Sequence, residues 1–195
     1  MAIAIIPARG GSQRIPKKNI KEFFGKPIIQ YSIETAKESG LFSEIYVSTD
    51  CMEIQGISLK AGAKTIYRPD ELAVNEIGTY KVIRDAAERV GVFDTRWCGY
   101  ICVIYATAPL MSIDDLLAGF LEIEKPNVSH AISIGYPPLR DAAQFYWSKI
   151  EALYNNYPYW FADTVPIQIE PERICDINTP EDWKEAERKY AKLDE

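Results

Sequence analysis

A short apolar run at residues 2–6 ends abruptly in PARGGSQRIPKKN (residues 7–19), and this junction restricts the fold more than any other part of the chain. An apolar run of that length, bounded by a proline and two glycines, reads as a buried strand feeding a loop. Gly10, Gly11 and Ser12 let backbone N–H groups come close to anionic oxygens. Arg9, Arg14, Lys17 and Lys18 add four cations to that loop, in a chain whose net charge is −6. The loop, from Ala8 to Asn19, therefore reads as a polyphosphate site. It is not a Walker A loop, because G-x-x-x-x-G-K-[ST] does not fit, and G-x-G-x-x-G is absent too. By residue type alone, a solvated basic turn remains the alternative.

The rest of the chain alternates short apolar runs with helical patterns. Strands are predicted at 44–49, 64–67, 99–105 and 129–134. Helices are predicted from Pro27 onward, with Ile28, Tyr31, Ile33 and Ala36 on one apolar side, after Asp50 as N-cap, at 79–90, and after the capping box Ser112-Ile113-Asp114-Asp115. Thr179 followed by Pro180 starts a last helix whose buried side carries Trp183, Ala186 and Tyr190. This alternation predicts one α/β domain over 1–195, a mostly parallel sheet flanked by helices. Ligands of such sheets bind outside the carboxyl ends of the strands. Pro7–Asn19, Thr49-Asp50 and Ala106–Pro109 all fall there. At Pro137-Pro138 one strand ends and another segment begins at once, which is unusually abrupt.

Composition narrows the function. A pI of about 5.0 argues weakly against a dedicated nucleic-acid binder, though it leaves room for a local basic pocket. Cys51, Cys98, Cys102 and Cys175 form no C-x-x-C pair, and His130 is the one histidine, so no zinc site is expected. Cys98 and Cys102 read as core residues. No signal peptide or membrane span is expected, and the expected location is cytoplasmic.

Other segments could carry chemistry. Alternation puts Asp176 and Asn178 on one face of a short predicted strand, where a carboxylate could hold Mg²⁺ against phosphate oxygens. Capping of the helix that follows explains the pair equally well. Arg68, by residue type, reads as a surface ion-pairing residue. Tyr105 ends the central strand. Asp141, Gln144 and Tyr146 alternate with small or aromatic neighbours, as in a strand lining a cleft, although a purely structural strand shows the same pattern.

Taken in order, IIPARGGSQRIPKKNI (5–20), YVSTD (46–50), RPDELA (68–73), YATAPL (105–110) and DINTPEDW (176–183) resemble the signatures of the CMP-sialic acid synthetases and their relatives. The resemblance spans nearly the whole chain. Within that family, YATAP and DAAQFYW (141–147) look most like the pseudaminic acid cytidylyltransferases. Tyr105 takes the place of a glutamine usual in the sialic acid enzymes. The resemblance implies CMP transfer from CTP to a nine-carbon acidic sugar, a nucleotidyltransferase fold with a small dimerisation arm, and a homodimer. By position, Arg9, Ser12 and Asn19, with Arg68 and Thr79, fall at the nucleotide, and Asp176 falls on a magnesium carboxylate. Arg14 and Lys18 are expected to neutralise the phosphates. Tyr105, Asp141 and Gln144 are expected at the sugar.

Two departures from the family stand out. Its magnesium pattern is usually D-x-D, and Asn178 replaces the second carboxylate. Its members also carry roughly thirty more residues before the 141–147 strand, longer than an ordinary loop. A loop omitted between Pro138 and Leu139 is therefore expected. Rival readings are activation of N-acetylneuraminic acid, legionaminic acid or Kdo, and a non-catalytic nucleotide-binding module. With His130 in or beside a strand, the attacking hydroxyl is expected to be deprotonated by a metal-bound group or an aspartate.

Overall fold

The computed structural model describes residues 2–74, 76–93, 99–159 and 162–193. Its first strand, β1 (Ala2–Pro7), lies in the middle of the sheet rather than at an edge. The reason is in its composition. Ile3 and Ile5 face one apolar cluster while Ala2, Ala4 and Ile6 face another, so the strand is buried on both sides.

The elements follow in order. A two-stranded antiparallel hairpin, β2 (Glu22–Phe23) and β3 (Lys26–Pro27), leads into α1 (Ile28–Glu38). Next come β4 (Glu44–Thr49), α2 (Met52–Lys60), β5 (Lys64–Tyr67), α3 (Thr79–Arg89) and β6 (Tyr100–Ile104). Then come α4 (Ile113–Ile123), β7 (His130–Gly135), β8 (Arg140–Lys149), α5 (Ile150–Tyr154), β9 (Thr164–Gln168) and α6 (Pro180–Leu193). Seven strands form one sheet in the order β5-β4-β1-β6-β8-β7-β9. Only β8 runs against its neighbours, β6 and β7; the other pairings are parallel. The carboxyl ends of six strands and the amino end of β8 therefore share one rim.

Three apolar clusters hold this frame. Under one face, Ile29 and Ile33 of α1, Ile54 of α2 and Leu116 and Ile123 of α4 pack on the sheet. Gly119 of α4 lets Trp147 pack closely, since a Cβ there would meet the indole at 2.5 Å. Under the other face, Ile83, Ala86 and Ala87 of α3 and Leu153 of α5 close the core. The third cluster lies over the rim. It joins Ile15 of the basic loop, Phe23, Tyr31 and Ile177 to Trp183 and Ala186 of α6. Each fully buried side chain of this size contributes roughly 1.5–3 kcal/mol. The third cluster thus clamps the basic loop against the segment bearing Asp176 and Asn178.

Several expectations change. Asp50 does not cap α2; its carboxylate accepts from the Gly10 backbone N–H at 2.8 Å, and Cys51 occupies the cap position. Residues 174–178 form no strand, since no neighbouring strand among the described residues pairs with them. The abrupt junction at Pro137-Pro138 is a tight turn over residues 136–139, joining β7 directly to β8. The caps at Ser112 and Thr179 form as expected, with Asp115 N–H on Ser112 Oγ and Asp182 N–H on Thr179 Oγ1, both at 3.2 Å. Cys102 is buried in the core, while Cys98 lies outside the described residues.

Candidate functional site

The basic loop leaves β1 at the rim and is fixed from beneath. Ala8 N–H donates to Ser48 O of β4, Asn19 Nδ2 donates to Arg9 O, and Gly10 is held by Asp50. Glycine is required at position 10 because a Cβ would lie 2.8 Å from Cys51 Cβ. Around the loop lies a polar cavity of about 320 Å³. Arg9, Ser12, Arg14, Lys18, Asn19, Arg68, Thr79, Tyr105 and Asn178 all line it. Residues separated by most of the chain are thereby brought to one hollow. Lys17 is the exception among the loop cations: it turns outward to pair with Glu53 on α2 at 2.6 Å.

Arg68 is not a surface residue. It is 4% exposed. Its guanidinium donates to Ser48 O at 2.9 Å and to Ser48 Oγ at 3.3 Å. Burial pushes it down to about 10, with Asp50 opposing and Arg9 adding to the effect. Burial likewise lowers Lys18; Asp176 opposes that shift, while Arg14 and Arg9 reinforce it. Its ammonium donates to Ile177 O. Cations crowded around a hollow, at a cost to their own charged forms, are arranged for a polyanion whose entry reverses that cost.

Asn178 lines this cavity, whereas Asp176 is exposed and is tied to it only through Asn178. Asn178 Nδ2 donates to Asp176 Oδ2 at 2.6 Å, and Asn178 Oδ1 accepts from Arg14 at 3.1 Å. The amide is thus a bridge between a loop cation and the carboxylate. Among the described residues no group of three or more His, Cys, Asp or Glu side chains could hold a metal. The donor set still fits Mg²⁺, which commonly takes one or two carboxylates with phosphate oxygens completing its shell.

A second cavity, of about 460 Å³, adjoins the first and shares Thr79 and Tyr105 with it. Tyr80, Tyr146, Asn156, Pro158 and Tyr159 supply most of its remaining wall. Tyr146 stacks on Tyr159 with ring centroids 5.0 Å apart. Asp141 stands beside it, hydrogen-bonded to the Tyr146 hydroxyl. Gln144 is not brought to either cavity: it is 2% exposed, and its Nε2 donates to Arg173 O. A bulge explains the difference. Ala143 has a φ of 52° and the β7–β8 register shifts beside it, so simple alternation fails along this strand.

Sequence reasoning missed Asp50 and Ser48 as anchors of the loop and of Arg68. It also missed Tyr80 and Tyr159. Nothing local marks those two tyrosines; they meet only because α3 and the 155–159 segment fold over the same end of the sheet.

A family model described as Cytidylyltransferase matches residues 3–162. The chain is 36% identical over 162 residues to a pseudaminic acid cytidylyltransferase of Campylobacter jejuni subsp. jejuni serotype O:2, a match covering 82% of this chain and 66% of that protein. It is 34% identical over 209 positions to a Helicobacter pylori protein named as pseudaminic acid cytidylyltransferase and UDP-2,4-diacetamido-2,4,6-trideoxy-beta-L-altropyranose hydrolase, covering 90% of this chain and 40% of that one. The chain therefore spans just under two thirds of the first relative's length. Among solved structures, CMP:2-keto-3-deoxy-manno-octonic acid synthetase complexed with CTP shares the fold, with a TM-score of 0.76 at 16% identity over 98% of this chain and 99% of that one. The loop, the rim and these matches agree: the chain belongs to the cytidylyltransferase family.

Proposed function

We propose that this protein transfers CMP from CTP to the anomeric hydroxyl of pseudaminic acid, releasing pyrophosphate. The observation that carries this reading is the pair of adjoining cavities. One is polar and ringed by Arg9, Arg14, Lys18 and Arg68; the other is walled by tyrosines; Thr79 and Tyr105 stand between them. A triphosphate suits the first and a sugar ring suits the second. The two relatives named for pseudaminic acid support this choice of sugar over N-acetylneuraminic or legionaminic acid or Kdo.

The chemistry is an in-line displacement at the α-phosphorus, in which positioning and charge stabilisation supply most of the rate. Arg9 and Ser12 of the loop meet the phosphate chain, while the Gly10 N–H, bonded to Asp50, and the Ser12 N–H, bonded to Gly10 O, hold the loop in shape. Lys18 and Arg14 neutralise charge that builds on the departing pyrophosphate. Arg68 and Thr79 face the nucleoside. Tyr105 meets the sugar, with Asp141 at the edge of its cavity. Asp176, with the Asn178 amide beside it, would hold Mg²⁺, which when bound supplies charge neutralisation at the phosphates.

Among the described residues no helix is long and apolar enough to cross a membrane. A cytoplasmic site of action accords with the use of CTP. We read 1–195 as one nucleotidyltransferase domain from which a family loop is omitted between Pro138 and Leu139. The Helicobacter match accords with such a difference in length: it needs 209 positions to pair 90% of 195 residues, so the relative carries in all about thirty residues that this chain lacks. A homodimer is expected from the family resemblance, and light scattering tests it.

Pyrophosphate release from CTP, measured with Mg²⁺ and with pseudaminic acid, N-acetylneuraminic acid or Kdo, tests the function. Turnover should be fastest with pseudaminic acid. A preference for another sugar removes the specificity claim. CTP binding without release from any of them replaces the enzyme with a nucleotide-binding module.

A further inference from the structure

The wall between the two cavities is also the start of a hydrogen-bonded line. Tyr105 Oη lies 3.1 Å from Tyr146 Oη, and the Tyr146 hydroxyl donates to Asp141 Oδ2. Because Tyr146 gives its proton to the carboxylate, its oxygen must accept from Tyr105. The line therefore has one direction, from the cavity junction toward Asp141. Thr79 is the other residue shared by both cavities.

The far end is built, not incidental. Asp141 and Tyr146 are five residues apart, which in a regular strand puts them on opposite faces. The bulge at Ala143 brings them to the same face, and it does so with a left-handed backbone that a non-glycine residue adopts reluctantly. The Ala143 N–H donates to Asp141 Oδ1 at 2.7 Å, leaving Oδ2 for Tyr146. Strained backbone that aims a carboxylate along a tyrosine pair calls for a function. Asp141 is exposed, so a proton arriving there can pass to water. The one histidine is not a competitor: His130 is buried with Nδ1 on Ser148 Oγ at 2.9 Å. Burial raises both Tyr105 and Tyr146, which keeps them as neutral carriers rather than phenolates.

We propose that Tyr105 and Tyr146 pass the proton of the attacking sugar hydroxyl to Asp141. The sugar O–H proton moves to Tyr105 Oη, the Tyr105 proton to Tyr146 Oη, and the Tyr146 proton to Asp141 Oδ2. The sugar oxygen forms its bond to the α-phosphorus as the bond to pyrophosphate breaks, and pyrophosphate leaves with that electron pair. Both tyrosines end neutral, and Asp141 ends protonated until solvent takes the proton. This relay rests on the CMP transfer proposed above.

The test compares wild type, Tyr146→Phe and Asp141→Ala at saturating CTP and sugar, with CTP affinity measured separately by calorimetry. Both variants should lose roughly 100-fold in kcat, the usual scale of general-base assistance, with CTP affinity within about twofold of wild type. Formate, a small carboxylate able to reach the exposed end, should restore about tenfold to Asp141→Ala and nothing to Tyr146→Phe, where the line is broken before the acceptor. If Tyr146→Phe fails to bind CTP, Tyr105→Phe takes its place. Near-normal kcat in these variants, or no rescue of Asp141→Ala by formate, overturns the relay while leaving CMP transfer standing. A wild type that releases no pyrophosphate with any sugar overturns both.

Discussion

The two halves of the sheet line their cavities by different means. On the β5-β4-β1-β6 side, contacts come from backbone and cations, and each is anchored to a neighbouring strand: Gly10 on Asp50, Arg68 on Ser48, Ala8 on Ser48. On the β8-β7-β9 side, contacts come from aromatic side chains and a bulged strand, with Tyr146 resting on Tyr159 and Tyr105. The first half is suited to a ligand that never changes, a nucleoside triphosphate. The second can be altered one side chain at a time and is suited to choosing among sugars.

If that division holds, damage on the nucleotide side should be the more severe. Lys18→Ala should lower kcat/KM by roughly 100- to 1,000-fold, as when a donor to developing charge is removed. Steady-state rates at varied CTP measure it, and a loss below about tenfold would put Lys18 outside the phosphate site. Next in size, Gly10→Ala should lower stability by about 1–3 kcal/mol because its Cβ has no room beside Cys51. Gly11→Ala should lie within about 0.5 kcal/mol of wild type, since nothing sits within 4 Å of the added carbon. Urea unfolding of both variants decides whether the loop is rigidly seated or merely glycine-rich.

On the acceptor side, Tyr159→Leu removes the stack on Tyr146 and should raise the KM for sugar about tenfold while leaving that for CTP unchanged. A rise in both constants would erase the distinction between the halves. The smallest effect belongs to the clamp they share. Asp182 Oδ2 accepts from Asn178 N–H at 2.9 Å and Thr179 N–H at 2.7 Å. Slight burial pushes its carboxyl up, but those backbone donors outweigh it and hold the carboxyl below the usual range. Asp182→Ala should cost about 1 kcal/mol. A group depressed on folding stabilises above its unfolded value, so the wild-type advantage should be full at neutral pH and fade as pH falls through the depressed value. Thermal melts of both proteins at neutral and acid pH check this.

The same division explains what was legible in the sequence. The nucleotide half is written in contiguous motifs, and strands 44–49 and 64–67 are found where the apolar runs place them. Residue type alone misjudged Arg68, because a charged side chain is usually exposed and nothing local announces that Ser48 will receive it. In the acceptor half, a strand was expected at 141–147, but the bulge at Ala143 was not. It is set by pairing with β7, not by local propensity, so Gln144 turned inward where alternation put it in the cleft. Asp176 and Asn178 came together as expected, yet without a strand, because the apolar clamp through Ile177 fixes them instead.

The reversed strand β8 has a consequence for how such a fold can vary. Because it alone runs backwards, the turn at 136–139 opens onto the ligand rim rather than the opposite edge. Residues can be gained or lost there at a closure cost that grows only logarithmically with length. The hydrogen-bonded ladders on either side need not change register. Substrate range can thus evolve by swapping one exposed connection, while the nucleotide machinery is inherited untouched.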